Sequence, residues 1–234
     1  MVSEILDVSA AWSRSVIESA ADLPPWAQSA VHAGTDLLLG VFAVLFLAAW
    51  WRARSEHPRL VGLALLAPVA TVAAYLASRT VKSFFEQMRP CQAMTDLATI
   101  ATCDPIGDWS FPSNHSAIAG AAAAAAVLAW RRAAVVAVPV AALEAFSRVL
   151  VGAHYPHDVT VGLLLGAAVA VLVSLAASGP MTGLVDRIAR DTRLRPLVRA
   201  DRPHAPTAAT RPLPAVAAPR SGPDAPADSR AAGV

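Results

Sequence analysis

Three short runs of this 234-residue chain concentrate cations, histidines and a carboxylate. The first is Lys82-Ser-Phe-Phe-Glu-Gln-Met-Arg89-Pro90. Lys82 and Arg89 are seven residues apart, so a helix would put both on one face, and Pro90 would then end it. Two cations on one face suit an anion: the Arg fork takes two oxygens and Lys adds a point charge. The pair alone would equally suit lipid headgroups at a membrane edge. The second run is Phe111-Pro112-Ser113-Asn114-His115, just before a small-residue apolar stretch. A helix starting here presents free N–H groups and its positive dipole end, where anions bind. Ser113 adds a hydroxyl, or caps the helix, and His115 can carry a proton near neutral pH. The third run, Ser147 to Asp158, holds Arg148, His154, His157 and Asp158 around Gly152 and Pro156. A carboxylate on one imidazole nitrogen fixes the tautomer and leaves the other nitrogen free to attack. His154 and Asp158 have that character, whereas His157 is expected to be an ordinary solvated histidine. Glu144 lies four residues before Arg148 in an apolar stretch, the favourable order for a helical pair. It is expected to hold the Arg148 fork in place.

The elements that must position these runs are read from composition. The chain is 56% hydrophobic and 15% charged, against roughly 45–50% and 25% for soluble domains. Net charge is only +2, which gives no sign of a nucleic-acid partner. A membrane-crossing helix needs about 20 mostly apolar residues. Five stretches qualify: Val31 to Trp51, Leu60 to Ala77, His115 to Trp130, Ala133 to Leu150 and Val159 to Ala177. The third is the weakest, short and built on Ala121 to Ala126, as suits a helix buried among neighbours. The expected fold is therefore all-α, a polytopic bundle of about five transmembrane helices. Residues 1–30 form an amphipathic N-terminal segment, with Ile5, Trp12 and Val16 on one face. Residues 31–180 are the membrane domain and 181–200 a basic juxtamembrane segment. The Pro/Ala-rich stretch 201–234 is expected to be a disordered tail.

Lys and Arg set the orientation. Arg52, Arg54, Arg59, Arg131, Arg132 and the arginines from Arg187 to Arg199 fall on one side, which is then cytoplasmic. Arg14, Arg79, Lys82, Arg89 and Arg148 fall on the other, together with all three chemical runs. The plasma membrane is the expected location, with an extracytoplasmic site and a cytoplasmic tail. Cys91 and Cys103 are too few for a disulfide framework or a zinc site. In an oxidising compartment they would pair within the outer loop. The outer acids are scattered, so no metal cage is expected.

In order, the runs read KxxxxxxRP, PSxH and SRxxxxxHxxxD. This pattern resembles the type 2 phosphatidic acid phosphatase (PAP2) family, which includes bacterial undecaprenyl-diphosphate phosphatases and shares its site with vanadium haloperoxidases. The resemblance covers about Val31 to Ala177. It implies a PAP2/haloperoxidase-like core and a metal-independent lipid phosphatase without a cofactor. His154 would attack phosphorus to give a phosphohistidine, Asp158 would orient it, and His115 would protonate the leaving oxygen. Lys82, Arg89, Ser113, Arg148 and the backbone N–H of Asn114 would hold the phosphate oxygens. Asn114 departs from the glycine common at its position. The expected partner is a membrane lipid phosphate or diphosphate, first undecaprenyl diphosphate, with phosphatidic acid or phosphatidylglycerol phosphate as the alternative and a polyprenyl-linked sugar phosphate as a third. A haloperoxidase is disfavoured by the small size and five spans. A binding protein without activity is disfavoured by His115, His154 and Asp158, since binding alone needs only the cations.

Overall fold

The alanine-rich stretch becomes the axis of the molecule. A computed structural model describes residues 2–200, which fold as helices α1 (Val2–Ala21), α2 (Pro25–Ala53), α3 (Pro58–Lys82), α4 (Pro90–Ala93), α5 (Asn114–Ala129), α6 (Ala134–Leu150), α7 (Pro156–Ile188) and α8 (Arg195–Val198), with no strand among the described residues. The expectation for 201–234 lies outside the described residues. Helix α5 is buried along most of its length, and α3, α6 and α7 pack around it. Its small side chains permit this close approach. A Cβ on Gly120 would strike the Leu163 backbone, and one on Gly166 would strike the Ala117 carbonyl. A Cβ on Gly162 would lie 2.6 Å from the Ser113 oxygen. Ala67, Ala70 and Ala74 of α3 meet Ala121 and Ala125 of α5 and Ala170 of α7 in one cluster.

Helices α2, α3 and α7, and the stretch Arg131–Leu150 ending in α6, are long and apolar enough to cross a membrane. Helix α5 is the shorter fifth: at about 1.5 Å per residue its 16 residues fall short of a hydrocarbon core of roughly 30 Å. Pro68, Pro139 and Pro180 sit inside α3, α6 and α7. Membrane helices tolerate such prolines because neighbours satisfy the freed backbone groups.

The two ends of the described chain fold back. Helix α1 buries Ser9, Ser13, Ile17 and Ala20 against the bundle and leaves Ile5, Val8 and Trp12 exposed. Val16 packs inward on Ala145, Val149 and Val159, so the expected face of Ile5, Trp12 and Val16 is split. Packing partners, rather than the moment of the helix itself, choose its inner side. At the other end α7 continues to Ile188, and α8 returns to the α2–α3 turn. Val198 is buried with Ala53, Val61 and Val185. Trp50 Nε1 donates to the Leu197 carbonyl at 3.0 Å, and Arg54 donates to that of Pro196 at 2.9 Å.

Candidate active site

Helix α3 stops at Lys82, and residues 85–89 are in no regular element, with Arg89 itself extended. The expected helix from Lys82 to Arg89 does not form. Pro90 disfavours the helical region for the residue before it, and it starts α4 instead of ending a helix, the position for which its φ is pre-set. The two cations converge all the same, through a loop. Lys82 Nζ lies 3.2 Å from Asp108 Oδ1, and Arg89 Nη2 lies 3.1 Å from Oδ2. Arg89 also meets Asp104 at 3.0 Å and donates through Nε to the Asp108 carbonyl at 2.8 Å. Both cations are buried, at 6% and 4% exposure. Burial alone would raise the Asp108 carboxyl pKa, but Lys82 and Arg89 outweigh it and hold the group below its ordinary range. The Cys91–Cys103 disulfide forms as expected and anchors this loop one residue before Asp104.

Ser113 caps α5, accepting from the Ser116 N–H at 3.4 Å, and is itself fully buried. Asn114 Oδ1 accepts from the Ser78 hydroxyl of α3 at 2.8 Å. The departure from glycine is thus absorbed by a helix–helix hydrogen bond. His115 Nε2 lies 3.8 Å from Asp36 Oδ1 on α2.

Between α6 and α7 the chain turns through Gly152, whose φ of +82° favours glycine. A Cβ there would also press on the Thr99 side chain. The turn lets the N–H groups of Ala153 and His154 donate to the Arg148 carbonyl at 3.1 and 3.2 Å. His154 is 2% exposed. Its Nε2 faces Arg89 Nη1 at 3.5 Å, and its Nδ1 faces Ser110 Oγ at 3.4 Å and Asp158 Oδ2 at 3.6 Å. Ser110 Oγ donates to Asp158 Oδ2, as does the Tyr155 N–H at 2.9 Å. The His154–Asp158 separation exceeds hydrogen-bond length. Ser110 completes the group, and nothing but its nearness to the Phe-Pro-Ser run marked it in the sequence. Burial, against the opposing pull of Asp158, lowers the His154 pKa to about 4. At neutral pH the imidazole is uncharged, the state a nucleophile requires.

His157 differs from expectation. It is largely buried, contacts Ser9 of α1 at 2.7 Å and Gln87 at 2.9 Å, and stacks with Tyr155 and Phe111. Its Nε2 lies 3.0 Å from Asp158 Oδ1, without an aligned hydrogen bond. It ties α1 and the Gln87 segment to the start of α7. Glu144 also differs. It is fully buried on α6, but neither carboxylate oxygen has a hydrogen-bond partner, and Arg148 Nε is likewise unpartnered. One helical turn brings the two near each other, but their rotamers leave no direct bond.

Arg89, Arg148 and His115 line one cavity of about 210 Å³. The structure therefore gathers Lys82, Arg89, His115, Arg148, His154 and Asp158 at one end of the bundle, with Ser113 and Asn114 beside them in structural bonds. Among the described residues, no group of three or more His, Cys, Asp or Glu is arranged to hold a metal ion. Buried cations around a neutral histidine, flanked by a carboxylate and a second histidine, are the groups that an anion site with a nucleophile requires. That arrangement, on helices of this kind, defines a membrane protein of the phosphatase type.

The chain belongs to the PAP2 superfamily, whose family model matches residues 60–180. It is similar to a decaprenylphosphoryl-5-phosphoribose phosphatase of Mycobacterium tuberculosis, 33% identical over 117 residues, 49% of this chain and 62% of the relative. It is also similar to an undecaprenyl-diphosphatase of Sulfolobus acidocaldarius, 29% identical over 130 residues, 54% of this chain and 60% of the relative. The chain thus spans less than two thirds of the length of these curated relatives. The fold matches the crystal structure of a transmembrane PAP2-type phosphatidylglycerolphosphate phosphatase from Bacillus subtilis with a TM-score of 0.54 at 22% identity, covering 80% of this chain and 89% of that one.

Proposed function

We propose that this protein is a membrane lipid phosphatase that acts through a phosphohistidine on His154. The observation that carries the reading is the placement of His154: neutral and buried, with Nε2 facing Arg89 and Nδ1 facing Ser110 and Asp158. The phosphate seats among Lys82, Arg89 and Arg148, with Ser113 and the Asn114 N–H at the α5 N-terminus completing the cradle. Nε2 attacks phosphorus as the P–O bond to the leaving group breaks. His115 gives its proton to the leaving oxygen. Asp158 holds the ring through Ser110 and stabilises the positive charge it gains. Water then attacks phosphorus, returns a proton to His115, and releases inorganic phosphate and neutral His154. Buried Lys82 and Arg89 and partly buried Arg148 supply the stabilisation of equatorial oxygen charge on which phosphoryl transfer depends.

The cation distribution in the loops supports an extracytoplasmic site. The substrate is then a lipid whose phosphate lies at the outer headgroup level. A polyprenyl-linked phosphate is the favoured class, with undecaprenyl diphosphate its simplest member; the names of the two curated relatives support it. The test is phosphate release from polyprenyl-linked phosphates and from phosphatidic acid, in detergent with EDTA, by wild type and His154→Ala. Release is expected from a polyprenyl substrate and lost in the variant, with base-stable, acid-labile phosphate trapped on the wild type. Release that persists in His154→Ala would exclude the phosphohistidine route, and a preference for phosphatidic acid would exclude the polyprenyl class.

A further inference from the structure

We propose that His157 is a positioning residue for Asp158, and that Ser9 of helix α1 fixes the ring tautomer in which it acts. This rests on the reading above that Asp158 serves His154. The two oxygens of Asp158 are served unequally. The residue is fully buried. Its Oδ2 accepts from the Ser110 hydroxyl and from the Tyr155 N–H at 2.9 Å. Its Oδ1 has no hydrogen-bond partner, a costly state for a buried charged group. The polar atom set against Oδ1 is His157 Nε2, at 3.0 Å. A small turn of the ring aligns a hydrogen bond there, provided that Nε2 carries the proton.

The surroundings of His157 decide where that proton sits. Nδ1 lies 2.7 Å from Ser9 Oγ, on a serine that is itself buried. The Ser9 oxygen already accepts from the His157 backbone N–H at 3.3 Å, so its own proton can go to Nδ1. A neutral imidazole that accepts at Nδ1 donates at Nε2. The Gln87 amide stands at Nε2 as well, its nitrogen at 2.9 Å and its oxygen at 3.2 Å. The oxygen is the end that suits an N–H, and a half-turn of the amide brings it nearer. The opposite tautomer would set the Nε2 lone pair against Asp158 Oδ1, two acceptors 3.0 Å apart in a buried place. Stacking on Tyr155 and Phe111 holds the ring plane. Gln87 closes the circuit: its carbonyl accepts from the Ser110 N–H at 2.7 Å, and the Ser110 hydroxyl donates to the other Asp158 oxygen. Both oxygens are thus held from one cluster, and one of its members sits on the N-terminal helix.

Asp158 matters most when His154 gains positive charge, so loosening it lowers kcat and leaves KM unchanged. The experiment measures phosphate release in detergent with EDTA from a polyprenyl diphosphate and from phosphatidic acid, and follows the faster. The variants are His157→Phe, His157→Gln, Ser9→Ala, the Ser9→Ala His157→Gln double variant, and His154→Ala. Phe keeps the stacking and removes both ring nitrogens. Gln offers an amide N–H in the place of Nε2 and has no tautomer to fix. A hydrogen bond to a charged group is worth about ten- to a hundredfold in rate. His157→Phe should lower kcat by about that factor at unchanged KM, and His157→Gln should restore most of it. Ser9→Ala should lower kcat in the wild type by a smaller factor, and leave it unchanged in the His157→Gln background. A serine that merely docks α1 would cost the same in both backgrounds and lower the melting temperature in both. An undiminished kcat in His157→Phe, or equal Ser9→Ala losses in the two backgrounds, overturns the inference. The second comparison stands even where the Phe variant fails to fold. If His154→Ala releases phosphate as the wild type does, or the wild type releases none, the phosphohistidine reading falls instead, so the two failures are distinguishable.

Discussion

The site has two walls, and they are built differently. Lys82, His115 and Asp158 stand on α3, α5 and α7, Ser113 caps α5, and His154 precedes α7 by two residues. These three helices interlock through Gly120, Gly162, Gly166 and a run of buried alanines, so closely that an added Cβ meets backbone. His32, Thr35 and Asp36 stand on α2, which buries the smallest share of its apolar stretch among the four long spans. Gly34 and Gly40 on α2 have nothing within 4 Å of where a Cβ would lie. The contrast separates two tasks. Groups that meet the reacting phosphorus need positions fixed to a few tenths of an ångström. On the proposed function, the looser α2 would leave room for the rest of the substrate.

The sharpest way to break this contrast is to treat both walls alike. Gly166→Ala should cost more than about 3 kcal/mol, or abolish folding, because the backbone must move. Gly40→Ala should be neutral, or stabilising by up to about 1 kcal/mol. Thermal unfolding in detergent reads both, and equal shifts would remove the distinction between the walls. A smaller effect is expected from the loop between α3 and α5. Cys91→Ser with Cys103→Ser opens a loop whose ends are 12 residues apart, worth about 3 kcal/mol in the chain-entropy model. Reductant should lower the wild-type melting temperature and leave the double variant unmoved; an unmoved wild type would show that the loop is held without its bridge. Taken over a single pH unit, the smallest effect concerns the rigid wall. The His154 pKa is about 4 in the folded protein and about 6.5 when unfolded. The unfolded chain takes up the proton first, so stability is full above pH 6.5 and falls as pH drops toward 4. The slope is at most about 1.4 kcal/mol per pH unit. His154→Gln should flatten that limb of the melting profile, and an unchanged slope would assign it to another group.

The rigid wall was the more legible of the two in the sequence. Motif spacing picked out Lys82, Arg89, His115, Arg148, His154 and Asp158, and the alanine run marked α5 as the buried axis. What spacing could not show is the side-chain partner across a gap in sequence. Asp104 and Asp108 read as scattered acids, because their cations lie up to 26 residues away. Ser110 and His157 gain their positions from contacts with Asp158, Ser9 and Gln87 that no local pattern announces. The Lys82–Arg89 helix failed because Pro90 governs its neighbour more strongly than a seven-residue spacing of cations does. Glu144 failed for another reason: helical register sets proximity, while the rotamer decides whether a bond forms. Asp36 carries no motif in the sequence, since its place beside His115 depends on how α2 leans on the bundle.

Asp104 and Asp108 give the resting protein an occupant of its own. Their carboxylates neutralise Arg89 and Lys82 from a loop that the disulfide keeps close. On the proposed function, an arriving phosphate would enter by exchange, one anion for another, and the cations would keep a counter-charge throughout. The cradle behaves as a resin already in its carboxylate form, loaded at rest and selective for whichever anion fills its forks better.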